Sequence, residues 1–524
     1  MPSQRTAATG KDGKKPPGQW AALTLRWLWA SWGAMAMKLR TLILCLAAPA
    51  VLAAENNTQL TRSVTLRSCI ERALADNLEI RFERINPSIA HWGIVQQSGV
   101  FDPALAAGIS YSDASTPLSA GGESLSRNFN TSLGLTGLLP TGTGYGLTVN
   151  DSRSGGTGIN DYLYTGALTL SLSQPLLKNF GLDANLAPIR VARKKRDIAL
   201  QNFALLVMNK ITEVSKAYYE LVYAIEDHKA KLEDLNRAKQ LLEENRKRVQ
   251  VGVMSPLDVT QAEAGVAERE EAVIIAERAI KDNENALKRL ITTDVRSLQG
   301  EVLVPVDYPL VEMVEADLVR STRTALEQRP DFIAAKHELE RRNILVQYTR
   351  NQLWPELDLQ ASYSMNGLTY TGFDTLTARQ LGNDTPAWGV GIAIRFPLGN
   401  RQARANYNIA RLDREQALLT LKQLEQDIVV QVDNAVGRLQ TNLKRVEATR
   451  AASRLAEESL QAEQTKLRAG TSTSFLVLQA QSQLAAARSA EIRARADYSE
   501  SLVELARVEG TTLQKNNIVL DDRF

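Results

Sequence analysis

The sequence is poor in the residues on which much protein chemistry depends. Its 524 residues include two cysteines, Cys45 and Cys69, and three histidines, His91, His228 and His337. Cys45 falls in an N-terminal leader, so the mature chain keeps one thiol and can form neither an intramolecular disulfide framework nor a paired-cysteine metal site. The histidines are scattered without ligand spacing, and no Cys, Asp or Glu stands by them as a metal or acid–base centre requires. A nucleophile, base and orienting group clustered on loops is also missing, which argues against a hydrolase and leaves no catalytic residue, cofactor or metal to expect. No basic patch with interleaved aromatics suggests nucleic acid; Lys and Glu mix along the helical stretches as on a solvated face.

What is present begins with the leader, residues 1–54. Met37-Lys38-Leu39-Arg40 is followed by the apolar run Thr41 to Ala48 and by small residues through Val51, Ala53 and Ala54. This is the pattern of a secretory signal cleaved after Ala53 or Ala54, with translation starting at Met35 or Met37 or with an unusually long basic region. Cys45 lacks the preceding small residue of a lipoprotein signal. Without the leader, 55 Lys and Arg stand against 58 Asp and Glu, a net charge of −3 in place of +3.

The stretch from Leu200 to Leu290 organises the rest. Apolar residues recur at Phe203, Val207, Ile211, Val214, Tyr218 and Leu221 and continue to Val249 in steps of three and four. The 3.5-residue period is that of a coiled-coil seam. His228 and Asn245 are its polar interruptions. The return pattern from Asp258 to Leu290 is also helical, so a long hairpin is predicted, with its turn at Val251 to Asp258.

The chain then repeats itself. Leu66, Ala73-Leu74, Pro103 and Tyr111-Ser112 recur 252 residues on, at Leu318, Ala325-Leu326, Pro355 and Tyr363-Ser364. Ala192-Arg193, Val214, Leu221, Gly252 and Leu287 recur 218 residues on, at Ala410-Arg411, Val432, Leu439, Gly470 and Leu505. The 34-residue difference lies mostly between Ser112 and Pro175. Two tandem repeats follow, 55–291 and 318–510, joined by an equatorial linker at 292–317 and followed by a tail at 511–524. Helices are predicted over 66–98, 187–250 and 258–291, then 318–352, 403–468 and 475–508. Two shorter helices stacked end to end match one long one, as in the wall of a cylinder. The linker carries strand character around Val302-Leu303-Val304.

Between the helices, Leu357, Leu359, Ala361, Tyr363 and Met365 alternate with polar residues, and Trp388, Val390, Ile392, Ile394 and Phe396 alternate with small ones. Leu105 to Tyr111 and Tyr164 to Leu172 do the same in the first half. Strands of this length suit a bilayer crossing. A soluble sandwich edge shows the same alternation, but too little sequence surrounds these strands to build a second core. Four strands cannot close a barrel, and open edges are not tolerated in hydrocarbon, so oligomerisation is required. The inserted region 113–164 adds Phe129, Thr131, Leu133 and Leu135, the turn Pro140-Thr141-Gly142-Thr143, then Tyr145, Leu147 and Val149. It reads as an extra hairpin, either an extracellular flap or two further wall strands; four strands already matching between the halves favours the flap.

With these features in place the chain resembles the TolC-like outer-membrane efflux proteins over nearly all of its mature length. The likeness rests on Leu66, Ala73-Leu74 and Asn77-Leu78, on Phe101-Asp102-Pro103, and on Gln174-Pro175-Leu176-Leu177 with its counterpart Phe396-Pro397-Leu398-Gly399. The resemblance implies an α+β membrane protein: a homotrimer whose copies each give four strands to a twelve-stranded β-barrel in outer-membrane lipid. An α-helical coiled-coil tunnel continues the barrel across the periplasm of a Gram-negative cell. It implies a passive exit duct in an efflux pump or type I secretion system, served by a periplasmic adaptor protein and an inner-membrane transporter. The adaptor would dock at the hairpin turns, Val251, Gly252 and Val253 in the first and Ala469, Gly470 and Thr471 in the second.

Asp258 is a candidate pore constriction, where three like charges would meet. It is equally an acidic residue complementing a helix N-terminus. The family's further charged gate positions are occupied here by Leu476 and Gln479, and the place of a locking Arg by Ser472, which puts a carboxylate gate in doubt. The alternative function is a periplasmic coiled-coil adaptor, but such a protein carries one hairpin between β-rich domains.

Overall fold

A computed structural model describes residues 60–118, 121–157, 161–298, 300–307 and 316–520. The leader and its candidate start sites lie outside the described residues, as do residues 299 and 308–315 of the linker and the last four residues.

The described residues begin with strand β1 (Leu60–Val64) and three helices, α1 (Leu66–Asp76), α2 (Leu78–Glu83) and α3 (Ile85–Ser98). The single helix predicted over 66–98 is broken because Asn77 is extended (φ −67°, ψ 125°) and its side chain accepts the N–H groups of Glu79 and Ile80, capping α2. Strands β2 (Ala104–Pro117), β3 (Glu123–Leu138), β4 (Gly144–Gly156) and β5 (Leu163–Pro175) follow, then the short α4 (Gly181–Asn185). Next come α5 (Ala187–Gln250), about 96 Å long at the helical rise, α6 (Pro256–Ile291) and strand β6 (Glu301–Pro305). The second half runs α7 (Leu318–Gln328), α8 (Pro330–Asn351), β7 (Glu356–Thr369), α9 (Phe373–Leu381), β8 (Thr385–Arg395), α10 (Arg401–Arg468), α11 (Ser474–Glu509) and α12 (Thr512–Lys515). Here too the predicted 318–352 helix is split, because Pro330 forces Arg329 into an extended conformation (φ −65°, ψ 123°).

The helices form a wall four across. Near the strands the order is α3, α5, α8, α10; at the other end it is α6, α5, α11, α10. The long α5 and α10 run the full height, and the shorter helices meet end to end beside them. The 3.5-residue seam explains this: Phe203, Val207, Ile211, Val214, Tyr218 and Leu221 are all buried against Cys69, Ile70, Ala73, Ile80, Leu287 and Ile291. Each such side chain contributes roughly 1.5–3 kcal/mol. In the second half Ile428, Val432, Ala435 and Leu439 occupy the matching seam against Ala494, Tyr498 and Leu505.

A belt ties the first half to the linker. β1 pairs in parallel with β6, a pairing that sequence reasoning did not find. The Tyr218 hydroxyl lies within 3.3 Å of the carbonyl oxygens of Val64 and Asp307 and accepts the Asp307 N–H at 3.1 Å. Cys69 is free and fully buried, and burial pushes its thiol up to about 11.

The sheet corrects the expectation of four strands and a flap. β2, β3, β4, β5, β7 and β8 form one antiparallel sheet in that order. The extra hairpin, whose 34 residues from Glu123 to Gly156 match the difference between the halves, lies within the sheet between β2 and β5. Alternation could not decide this, because a flap hairpin and a wall hairpin share the same period.

Candidate functional site

The sheet separates two chemistries. Across all six strands, paired positions place Leu105, Leu135, Leu147, Leu170, Tyr363 and Trp388 in one row. The adjoining row on the opposite face is Ala106, Gly134, Thr148, Thr169, Ser364 and Ala387. One face is thus a band of large apolar side chains and the other is small and polar, the division expected of a lipid-facing exterior and a watery interior. The edge strands β2 and β8 are exposed along their whole length, with Ile109 78% and Trp388 78% exposed. Among the described residues no helix is long and apolar enough to cross a membrane.

At the far end of the helices the two hairpin turns share one geometry. Gly252 has φ 75° and Gly470 φ 77°, with open space around each, so the left-handed backbone and not crowding demands glycine. The Val253 N–H donates to the Arg248 carbonyl at 3.0 Å, and the Thr471 N–H donates to the Lys466 carbonyl at 2.9 Å. Ser255 and Asp258 form a capping box at the start of α6: the Asp258 carboxylate accepts the Ser255 N–H at 3.3 Å. Thr473 caps α11, and Leu476 stands at the place of Asp258. Val251, Val253, Leu257 and Phe475 are between 58% and 72% exposed, an unusual density of apolar surface at helix ends.

The two turns are also held to each other. Leu241 and Met254 of the first hairpin pack with Leu460, Leu467 and Val477 of the second. Arg248 donates to the Leu467 carbonyl at 3.3 Å, and buried Asn245 donates to Ser474 Oγ at 2.6 Å. Asn245 was visible as a polar break in the seam, but its partner 229 residues away was not. Ser472 Oγ donates to Glu463 at 2.7 Å, and Lys466 and Ser472 together hold that carboxyl below its usual range.

Above the turns an open cleft of about 760 Å³ runs between α5, α6 and α11, lined in part by Gln479, Phe475, Leu478 and Gly265. At its floor Arg269 Nε donates to Asp234 Oδ2 at 2.7 Å, both side chains being nearly buried. Burial pushes the Asp234 carboxyl up, against the pull of Arg269. This pair lay outside the sequence-based candidates; opposite charges interrupting facing helical seams were the available signal. His91, His228 and His337 do not come together, and among the described residues no group of three His, Cys, Asp or Glu could hold a metal ion.

Comparison with known proteins agrees with this geometry. The family described as outer membrane efflux protein matches residues 69–293 and 322–511. Protein CyaE of Bordetella pertussis is 24% identical over 277 residues, 52% of this chain and 55% of the relative, so the match spans about half of that curated relative's length. Among solved structures, the outer membrane channel CmeC of Campylobacter jejuni superposes with a TM-score of 0.63 at 18% identity, covering 85% of this chain and 86% of that one. The outer membrane protein VceC of Vibrio cholerae gives 0.63 at 20% identity, covering 85% and 96%. The fold is that of outer-membrane channels, not of enzymes or of periplasmic adaptors. Family and architecture agree, and the chain belongs to the outer membrane efflux protein family.

Proposed function

We propose that three copies of this chain form a passive exit duct of a Gram-negative cell. A barrel in the outer membrane is continued by a helical tunnel through the periplasm, and two tandem repeats per chain give the tunnel pseudo-sixfold walls. The observation that carries this reading is the two-faced sheet with two unpaired edges at the end of a helical wall. The antiparallel sheet of a single chain has six strands, fewer than the eight of the smallest barrels, and its open edges cannot remain in lipid.

The helical wall supports self-association as well. Leu78, Phe82, Ile85, Ile89 and Trp92 are exposed on the α2–α3 side, next to β2; Ile409, Leu412 and Leu419 are exposed on α10, next to β8. Each copy thus offers one apolar flank to the next, and a ring buries them all.

The exposed tip around Val251, Gly252, Val253, Ala469, Gly470 and Thr471 is where a periplasmic adaptor, coupled to an inner-membrane transporter, docks in this reading. Apolar side chains on two mutually braced turns supply a rigid contact. Asp258 caps α6 in this reading, its carboxylate accepting the Ser255 N–H. The duct performs no chemistry; the transporter selects and drives the substrate.

Fractionation tests the proposal. The chain should sediment with outer membranes, resist extraction without detergent and run as a heat-modifiable oligomer. Recovery in the soluble periplasmic fraction would overturn it.

A further inference from the structure

We infer that the barrel formed by this chain has eighteen strands, six from each of three copies, because the hairpin β3–β4 is part of its wall. This rests on the trimeric duct proposed above and concerns what the duct encloses.

Three independent observations place the hairpin in the wall. The first is register. β3 pairs with β2 over fourteen positions and β4 with β5 over eleven, and the apolar row continues through Leu133 and Val149 without a break. Their neighbours on the other face, Ser132 and Asn150, continue the polar row. A flap folded away from the sheet would need neither correspondence.

The second is anchoring at both ends. At the helix end the turn after β3 is seated against α4: the Gly181 N–H donates to the Thr141 carbonyl at 3.1 Å, and Thr143 bonds the Gln174 side chain. Gly142 has φ 91°, and a Cβ there would lie 2.6 Å from the Asn179 carbonyl oxygen. At the distal end α9, from the second half, lies on the outer face. Its Phe373 meets Phe129 of β3 and Tyr164 of β5 edge-on, with ring centroids 6.1 and 4.9 Å apart, and Gln380 donates to Asp151 of β4 at 2.7 Å.

The third is circumference. Four helices of each copy meet the sheet, and at 8–10 Å between axes they span roughly 32–40 Å of wall. Six strands about 4.8 Å apart and tilted about 40° span roughly 38 Å, whereas four span roughly 25 Å. Six strands therefore fit within the width of the helical wall beneath them, so the extra hairpin can be accommodated in the wall. Strand direction also permits closure: β2 runs away from the helices and β8 returns to them, so β8 of one copy and β2 of the next are antiparallel. Three copies enclose a bore of about 36 Å between backbones, in the range where barrels hold an aqueous channel.

Single cysteines at Leu133, Val149, Ser132 and Asn150 in the full chain, labelled with an environment-sensitive fluorophore and reconstituted in vesicles, test this. Cys45 is replaced by Ser, and the native thiol Cys69 is buried and does not compete. Leu168 of β5 and Ile392 of β8 serve as references on the shared outer face. Nitroxide-bearing lipid should quench labels at Leu133 and Val149 to within twofold of the references, while aqueous iodide quenches those at Ser132 and Asn150. The detergent-solubilised sample should have the mass of three chains. Quenching at Leu133 and Val149 by iodide alone, with the references still in lipid, overturns the eighteen-stranded barrel and leaves the duct standing. References that also meet only water overturn the duct itself, and a two-chain mass overturns the count.

Discussion

Ile392→Arg should remove the assembled protein from the outer membrane, while Gly391→Ser, one residue away, should leave its level within about twofold. Ile392 lies on the apolar face opposite Leu359, on the exposed edge strand β8. An arginine at the middle of a barrel's lipid face costs about 2–4 kcal/mol, and the proposed trimer would bear the cost three times. Gly391 points to the other face, where a new side-chain carbon meets nothing within 4 Å. Quantifying heat-modifiable oligomer in membrane fractions reads both outcomes. Equal loss from both variants would mean that the faces are not distinguished by lipid.

Arg269→Ala should loosen the α5–α6 hairpin by about 3–5 kcal/mol, the usual consequence of leaving one member of a buried ion pair unpaired. Asp234 would keep a buried carboxylate without its hydrogen-bonded partner, Arg237 and Arg488 remaining as the nearby charges, and with one oxygen already lacking a hydrogen-bond partner among the described residues. Limited proteolysis in detergent should cut this variant near the hairpin turn well before the wild type. The pH dependence follows from the raised native pKa. The native state then holds the Asp234 proton more tightly than the unfolded state does, so the destabilisation is full above the raised value and shrinks as pH falls toward the ordinary carboxylate range. Proteolysis at pH 8 and pH 5 should therefore differ more for Arg269→Ala than for the wild type. The double variant Arg269→Met with Asp234→Leu removes both charges and should recover most of the loss.

The helices were legible in the sequence because their seams are long and strictly periodic. The prediction for 187–250 matches α5, and the apolar steps from Phe203 to Leu221 are the buried ones. Where single residues decide, periodicity failed. Asn77 caps a new helix inside an unbroken apolar pattern, and Pro330 splits another through the geometry of Arg329. The strands were legible as two-sided segments, but their neighbours were not. Placing β3–β4 between β2 and β5 depends on pairings and on the clasp of Phe373 and Gln380, which are contacts far apart in sequence. At the tip, glycines and caps were visible as turn chemistry. The links between hairpins, Asn245 to Ser474 and Arg248 to Leu467, join residues more than 200 positions apart, and no local pattern encodes them.

The central claim is that this chain is a channel. Planar-bilayer conductance of the purified mature chain, with its mass in detergent determined on the same sample, tests it most directly. A stable conductance from particles of three chains is the expected result; a water-soluble species that conducts no current would contradict the account.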